Sequence, residues 1–205
     1  MRIALFGATG AVGGHFLNKA LSAGHEVVAL VRTPEKLREN TSLSALKGDV
    51  TSPSDVTRPI SGADVVVSCL GNVKGVLIME KVAEAILQAS AEQSKPPKCL
   101  FVSSIGCGGT SWVVKQMLQL IGGRSSFADY ERADSRISLE GKVPYVLVRP
   151  AALKEKSGNG KYRVFQGDGT FARPITKQDV AEFLLDAISS NQWDGCGGLQ
   201  LAGMK

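Results

Sequence analysis

The sequence is short of the residues from which metal centres, disulfide frameworks and nucleic-acid surfaces are built. Its 205 residues include two histidines and four cysteines. Cys69, Cys99, Cys107 and Cys196 form no C-x-x-C pair, and neither His15 nor His25 stands near a cysteine cluster. That pattern gives little support to a zinc site of ordinary ligand spacing and reads as reduced, mostly structural thiols of a cytoplasmic protein. No apolar run approaches the roughly 20 residues that a membrane helix needs. Met1 leads directly into an apolar run, so no leader peptide is expected. Basic residues outnumber acidic ones by 24 to 19, a net charge of +5. They are scattered, without a run of four and without interleaved aromatics, which argues against nucleic acid as a partner. A moderate positive balance suits a phosphate-rich small molecule. Neither a linker nor a repeat appears, so residues 1–205 are expected to form one domain, and a monomer.

What is present is concentrated at the amino end, in RIALFGATGAVG (residues 2–13). Ile3 to Phe6 form an apolar run of strand length, bounded by Gly7. Gly10 and Gly13 follow at intervals of three, ahead of an apolar pattern of helical period. Gly7 permits a sharp turn off the strand. Gly10 lets a pyrophosphate approach the backbone, and Gly13 lets the helix sit close to the sheet. The free N–H groups and positive dipole end of such a helix favour phosphate. The G-x-x-G-x-x-G spacing departs from G-x-G-x-x-G, but its strand–turn–helix setting is that of a dinucleotide turn.

The rest of the chain alternates. Helical period covers 12–23, and a strand at 26–31 completes a β-α-β unit. Arg32 follows at the position where NAD-preferring sites carry a carboxylate. A guanidinium there favours the 2′-phosphate of NADP, with Thr33 as an added hydroxyl donor. A weak strand at 43–47 ends in Gly48-Asp49-Val50. Asp49 reads equally as an acceptor for the adenine amino group or as a turn residue, and Val50 as packing on the ring. A helix at 52–60 precedes the most apolar strand, 64–70, whose end places Cys69, Leu70 and Gly71 on the far side of the crevice. A helix over 77–91 and a strand over 99–103 follow. Ser103 and Ser104 fall beyond the carboxyl end of that strand, where a nicotinamide should lie. Residues 106–127 form a long excursion in which Trp112 and Phe127 are candidates for stacking on a planar substrate. Tyr130 opens a helix before a strand at 145–149. It lacks the lysine four residues on that would lower its pKa; Asp134 stands there instead. A glycine-rich exposed stretch over 154–160, short strands at 162–166 and 171–173, a helix capped by Thr176 and a strand at 199–202 complete the chain. The pattern is a doubly wound parallel α/β sheet, a Rossmann fold, with a small C-terminal substrate-side region.

Six segments carry a more specific signal: GATGAVG, the VR after the second strand, GDV, VSSIG, VLVRPAAL and ITKQDVAEFLLDAI. In this order the chain resembles the atypical short-chain dehydrogenase/reductases of the NmrA-like superfamily. It looks most like their compact biliverdin-IXβ reductase/flavin reductase type, with which it shares small size and a Trp193-Asp194-Gly195 ending. The resemblance implies NADP(H) as cofactor and hydride transfer to a flavin, bilin or quinone-like acceptor. It implies Gly7, Thr9, Gly10 and Val12 at the pyrophosphate, where Ala11 and Gly13 of the same turn are further cofactor-binding candidates, Arg32 at the 2′-phosphate, and Asp49 and Val50 at adenine. Leu70 and Gly71 would sit beside the ribose and Ser104 near the nicotinamide. Pro150, Ala151 and Ala152 would offer backbone to the carboxamide. Ser104 and Tyr130 are the candidate catalytic residues, although Tyr130 stands where that type often has histidine, which leaves the proton donor and the acceptor open. An NADP(H)-sensing regulator without turnover and a nucleotide-sugar isomerase or epimerase are the alternatives.

Overall fold

In the computed structural model, which describes residues 1–72, 76–108, 115–116, 119, 123–167 and 172–204, the first strand shows why its sequence is apolar at every position. β1 (Arg2–Phe6) turns Ile3 and Leu5 toward one layer and Ala4 and Phe6 toward the other, all four fully buried. A strand covered on both faces has no polar side. Around it lie β2 (Glu26–Val31), β3 (Leu43–Lys47), β4 (Val65–Ser68), β5 (Lys98–Val102) and β6 (Tyr145–Pro150). β7 (Leu153–Lys154), β8 (Tyr162–Phe165), β9 (Ile175–Thr176) and β10 (Leu199–Gly203) complete the strands. The main sheet runs β3-β2-β1-β4-β5-β6-β10-β8, parallel throughout except that β8 is antiparallel to β10. Strand order reverses between β1 and β4, and a crevice opens at such a switch point outside the carboxyl ends.

Two helix layers close the sheet. α1 (Ala11–Ser22) and α5 (Lys177–Ser189) bring Phe16, Leu17, Phe183 and Leu184 onto the Ile3–Leu5 face. α2 (Pro53–Ile60), α3 (Met79–Ala91) and α4 (Arg124–Ser138) bring Val56, Ile60, Val82, Ile86 and Ile137 onto the Ala4–Phe6 face. Among the described residues no helix is long and apolar enough to cross a membrane.

Two local expectations change. The fourth strand ends at Ser68, so Cys69 and Leu70 belong to the turn after it. The strand foreseen over 171–173 is not found: Phe171 lies outside the described residues, Ala172 and Arg173 are irregular, and the pairing segment is β9, which joins β7 in a two-stranded ribbon. The glycine-rich stretch is exposed as expected except at half-buried Gly158, and it is also anchored, because the amides of Asn159 and Gly160 donate to the Asp179 carboxylate at 3.1 and 2.9 Å. Asp179 in turn donates its own amide to the Thr176 hydroxyl at 3.0 Å, the cap expected at the start of α5.

Candidate functional site

The turn after β1 is built on missing side chains. Gly7 has φ +86°, and a Cβ there would stand 2.8 Å from the carbonyl oxygen of Cys69 on the neighbouring strand's turn. At Gly13 a Cβ would stand 2.1 Å from the Gly7 carbonyl oxygen. That proximity is what lets the first turn of α1 lie across the end of β1. Gly10 is the N-cap, no side chain caps the helix, and its first turn holds no acidic residue. The leading amides of α1, which have no partner inside the helix, are thus presented with the dipole's positive end. Ala11 is exposed there, and Val12 and Gly13 are buried behind it.

Beside this turn a cleft of about 210 Å³ is lined by Gly7, Thr9, Arg32, Asp49, Val50, Leu70 and Gly71, seven of the residues expected to hold a cofactor. Leu30, Val31, Gly48, Thr51, Val76 and Ile78 complete its wall. Thr33 does not line it; it heads the short turn Pro34–Lys36. Asp49 is both a wall residue and a turn residue. One carboxylate oxygen accepts from the Thr51 amide at 2.8 Å and the Thr51 hydroxyl at 2.7 Å. Those bonds, with a smaller contribution from Arg32, hold its carboxyl below the usual range. A cradle without side chains, an uncapped helix start, an apolar slot and a guanidinium at its rim fit a nicotinamide dinucleotide.

The other end of the crevice differs from expectation. Tyr130 lies in the middle of α4, whose start at Arg124 was hidden by a polar first turn. Its phenol oxygen accepts from the Asn72 amide at 3.3 Å and stands against Gly71. Burial first, and then the nearby Cys107, Asp129 and Asp134, push the phenol above its ordinary value. Phe127 is 8 % exposed. Buried on α4, its ring leaves little face open to the stacking foreseen for it. Trp112 lies outside the described residues. Cys69 turns its thiol into the α1 layer, and burial pushes it up to about 12.

Ser104 is partly exposed, and its hydroxyl donates to the Ile105 carbonyl at 3.1 Å. Ser103 is engaged elsewhere: its hydroxyl donates to Asp134 at 2.5 Å, and the second Asp134 oxygen accepts from Arg149 at 2.8 Å. Burial raises the Asp134 carboxyl even against the pull of Ser103 and Arg149. Three of the backbone groups at 150–152 are committed inside the protein. Pro150 and Ala152 accept from Ile105 and Ile175, and the Ala151 amide donates to Leu201. Asp134 and Arg149 were missed as a pair, since they meet only in the folded chain. Asp129 was missed for the same reason; its buried carboxylate accepts from the first amides of α3, Met79 at 2.9 Å and Glu80 at 3.3 Å.

Fold and cleft together define a dinucleotide-binding α/β protein. The model of the NAD(P)H-binding family matches residues 7–191, and the chain belongs to that family. Across 92 % of its length the chain is 26 % identical to the chloroplastic divinyl chlorophyllide a 8-vinyl-reductase of Arabidopsis thaliana, of which it covers 50 %. The chain thus spans about half the length of the curated relatives it matches. Among solved structures it superposes with a TM-score of 0.82 on a Bacteroides thetaiotaomicron protein provisionally described as an epimerase, at 25 % identity over 99 % of this chain and 97 % of that one. It superposes with a TM-score of 0.84 on ChuY of Escherichia coli O157:H7, an anaerobilin reductase, at 20 % identity over 99 % and 98 % of the two chains.

Proposed function

We propose that the protein is an NADPH-dependent reductase that delivers hydride to a planar conjugated acceptor of the flavin, bilin or quinone kind. The observation that carries the choice of NADPH is Arg32 on the wall of the cleft, where a carboxylate would select NAD. Gly7, Thr9, Gly10 and the leading amides of α1 would hold the pyrophosphate, Val50 and the Asp49 turn the adenine side, and Leu70 and Gly71 the ribose. Bound there, the reduced nicotinamide supplies a hydride, two electrons with one hydrogen.

The surroundings of Tyr130 support this acceptor class. Asp134 replaces a lysine and is itself paired with Arg149, and burial keeps the phenol a weak acid. A carbonyl reductase needs a strong proton donor at the moment of hydride transfer. A conjugated ring system spreads the added charge and takes its balancing proton from water. The protein's own work is then to bind, to orient and to keep Ser104 in place. The tetrapyrrole substrates named for two of the similar proteins support the same class. The decisive assay is NADPH oxidation at saturating cofactor with free flavins, quinones and bilins as acceptors. Turnover with at least one is expected. Tight NADPH binding without any turnover would replace the reductase reading by that of a cofactor sensor.

A further inference from the structure

Arg149 and Asp134 bury opposite charges in a place that the cofactor cleft does not reach. Their side chains are 12 % and 5 % exposed, and they join β6 to α4 through the 2.8 Å bond from Nε to Oδ2. The same carboxylate holds the Ser103 hydroxyl with its other oxygen. On both sides of Arg149 the loop after β5 is bonded to the backbone of β6: the Ser103 amide donates to Val148 at 2.7 Å and the Ile105 amide to Pro150 at 3.3 Å. The guanidinium lies so close to Gly108, farther along the chain after β5, and to Gly198, just before β10, that neither position has room for a Cβ. Asp134 sits one helical turn after Tyr130, on the same face of α4. One ion pair therefore touches the segment that carries Ser104, the helix that carries Tyr130 and the approach to the last strand.

We propose that Asp134 and Arg149 are positioning residues that hold the Ser104 loop and the Tyr130 turn of α4 in one fixed relation at the nicotinamide end of the crevice. This rests on the reductase reading for what is positioned, but not for the coupling itself. A buried ion pair rarely adds stability over a well-packed apolar pair, whereas removing one partner strands the other charge. The pair's value thus lies in where it holds its neighbours.

Hydrogen–deuterium exchange on the cofactor-free protein tests the coupling. In the double variant Asp134→Asn/Arg149→Met, which leaves no stranded charge, peptides spanning 103–108 and 126–134 should exchange faster together, while those of β1 to β3 stay as protected as before. Arg149→Lys keeps the charge without the fork and should fall between. Unchanged protection in both peptides, or a uniform loss across the sheet, would overturn the proposal. In parallel, the double variant should keep its dissociation constant for NADPH within about threefold and lose at least tenfold in kcat with whichever acceptor the wild type reduces. A cofactor affinity that falls as far as kcat would equally overturn it. Should the wild type reduce no acceptor, the reductase reading fails and the exchange result still decides the coupling.

Discussion

The backbone amide of Asn72 donates to the phenol oxygen of Tyr130 across 3.3 Å, so the loop after β4 is pinned to the middle of α4. The Asn72 side chain reinforces it, donating to Ser126 and accepting from the Ile78 amide. Tyr130 acts here as an acceptor of a hydrogen bond. Tyr130→Phe should cost about 1–3 kcal/mol of stability through the abandoned amide, measured by denaturant unfolding. It should lower kcat far less than the ~10²–10⁴-fold expected on removing a general acid. Because the folded phenol titrates above its ordinary value, its contribution to stability is fully present below about pH 10. That contribution is lost as the pH rises through the higher folded value. The variant's stability should accordingly lose this alkaline limb.

Neighbouring glycines of α1 should respond in opposite directions. A Cβ at Gly13 would lie 2.1 Å from the Gly7 carbonyl oxygen, whereas one at Gly14 would meet Ala8 at an ordinary 3.5 Å. Gly13→Ala should destabilise by about 1–3 kcal/mol, as overpacking does, and should weaken dinucleotide binding with it. Gly14→Ala should gain up to about 1 kcal/mol from helix propensity. Thermal unfolding of the two variants side by side checks both signs.

Arg32→Asp should weaken NADPH binding by about 1.5–3 kcal/mol, the range for a charged hydrogen bond, and NADH binding by less. Calorimetric titration with both cofactors gives the ratio. An unchanged preference would remove Arg32 as the reader of the 2′-phosphate.

Burial pushes the thiols of Cys69, Cys99 and Cys107 up to about 12. All three should therefore stay protonated and resist iodoacetamide in the native protein at about pH 8, since the thiolate is the reactive form. Peptide mapping after alkylation, with and without denaturant, measures this directly.

Strands buried on both faces were easy to read, because Val27 to Val31 and Val65 to Val67 are unbroken apolar runs. The glycine spacing located the turn after β1, and Arg32 announced itself by following the second strand. What stayed hidden depends on distance along the chain. Ser103 and Asp134 are 31 positions apart, and Asp134 and Arg149 are 15 apart. No periodicity links such residues, and a buried aspartate looks like any helical acid until its partners are seen. α4 was placed too late because the six residues before Tyr130 carry little apolar pattern; of the two buried there, Phe127 alone is apolar and Asp129 caps α3.

β10 lies between β6 and β8, and among the described residues β8 has no other neighbour in the sheet. During synthesis β8 leaves the ribosome first and must wait as an unpaired ribbon until residues 199–203 arrive. A chain cut before Leu199 would consequently forfeit two strands for the loss of one. It would also bare the β6 margin beside Ala151, whose amide relies on Leu201.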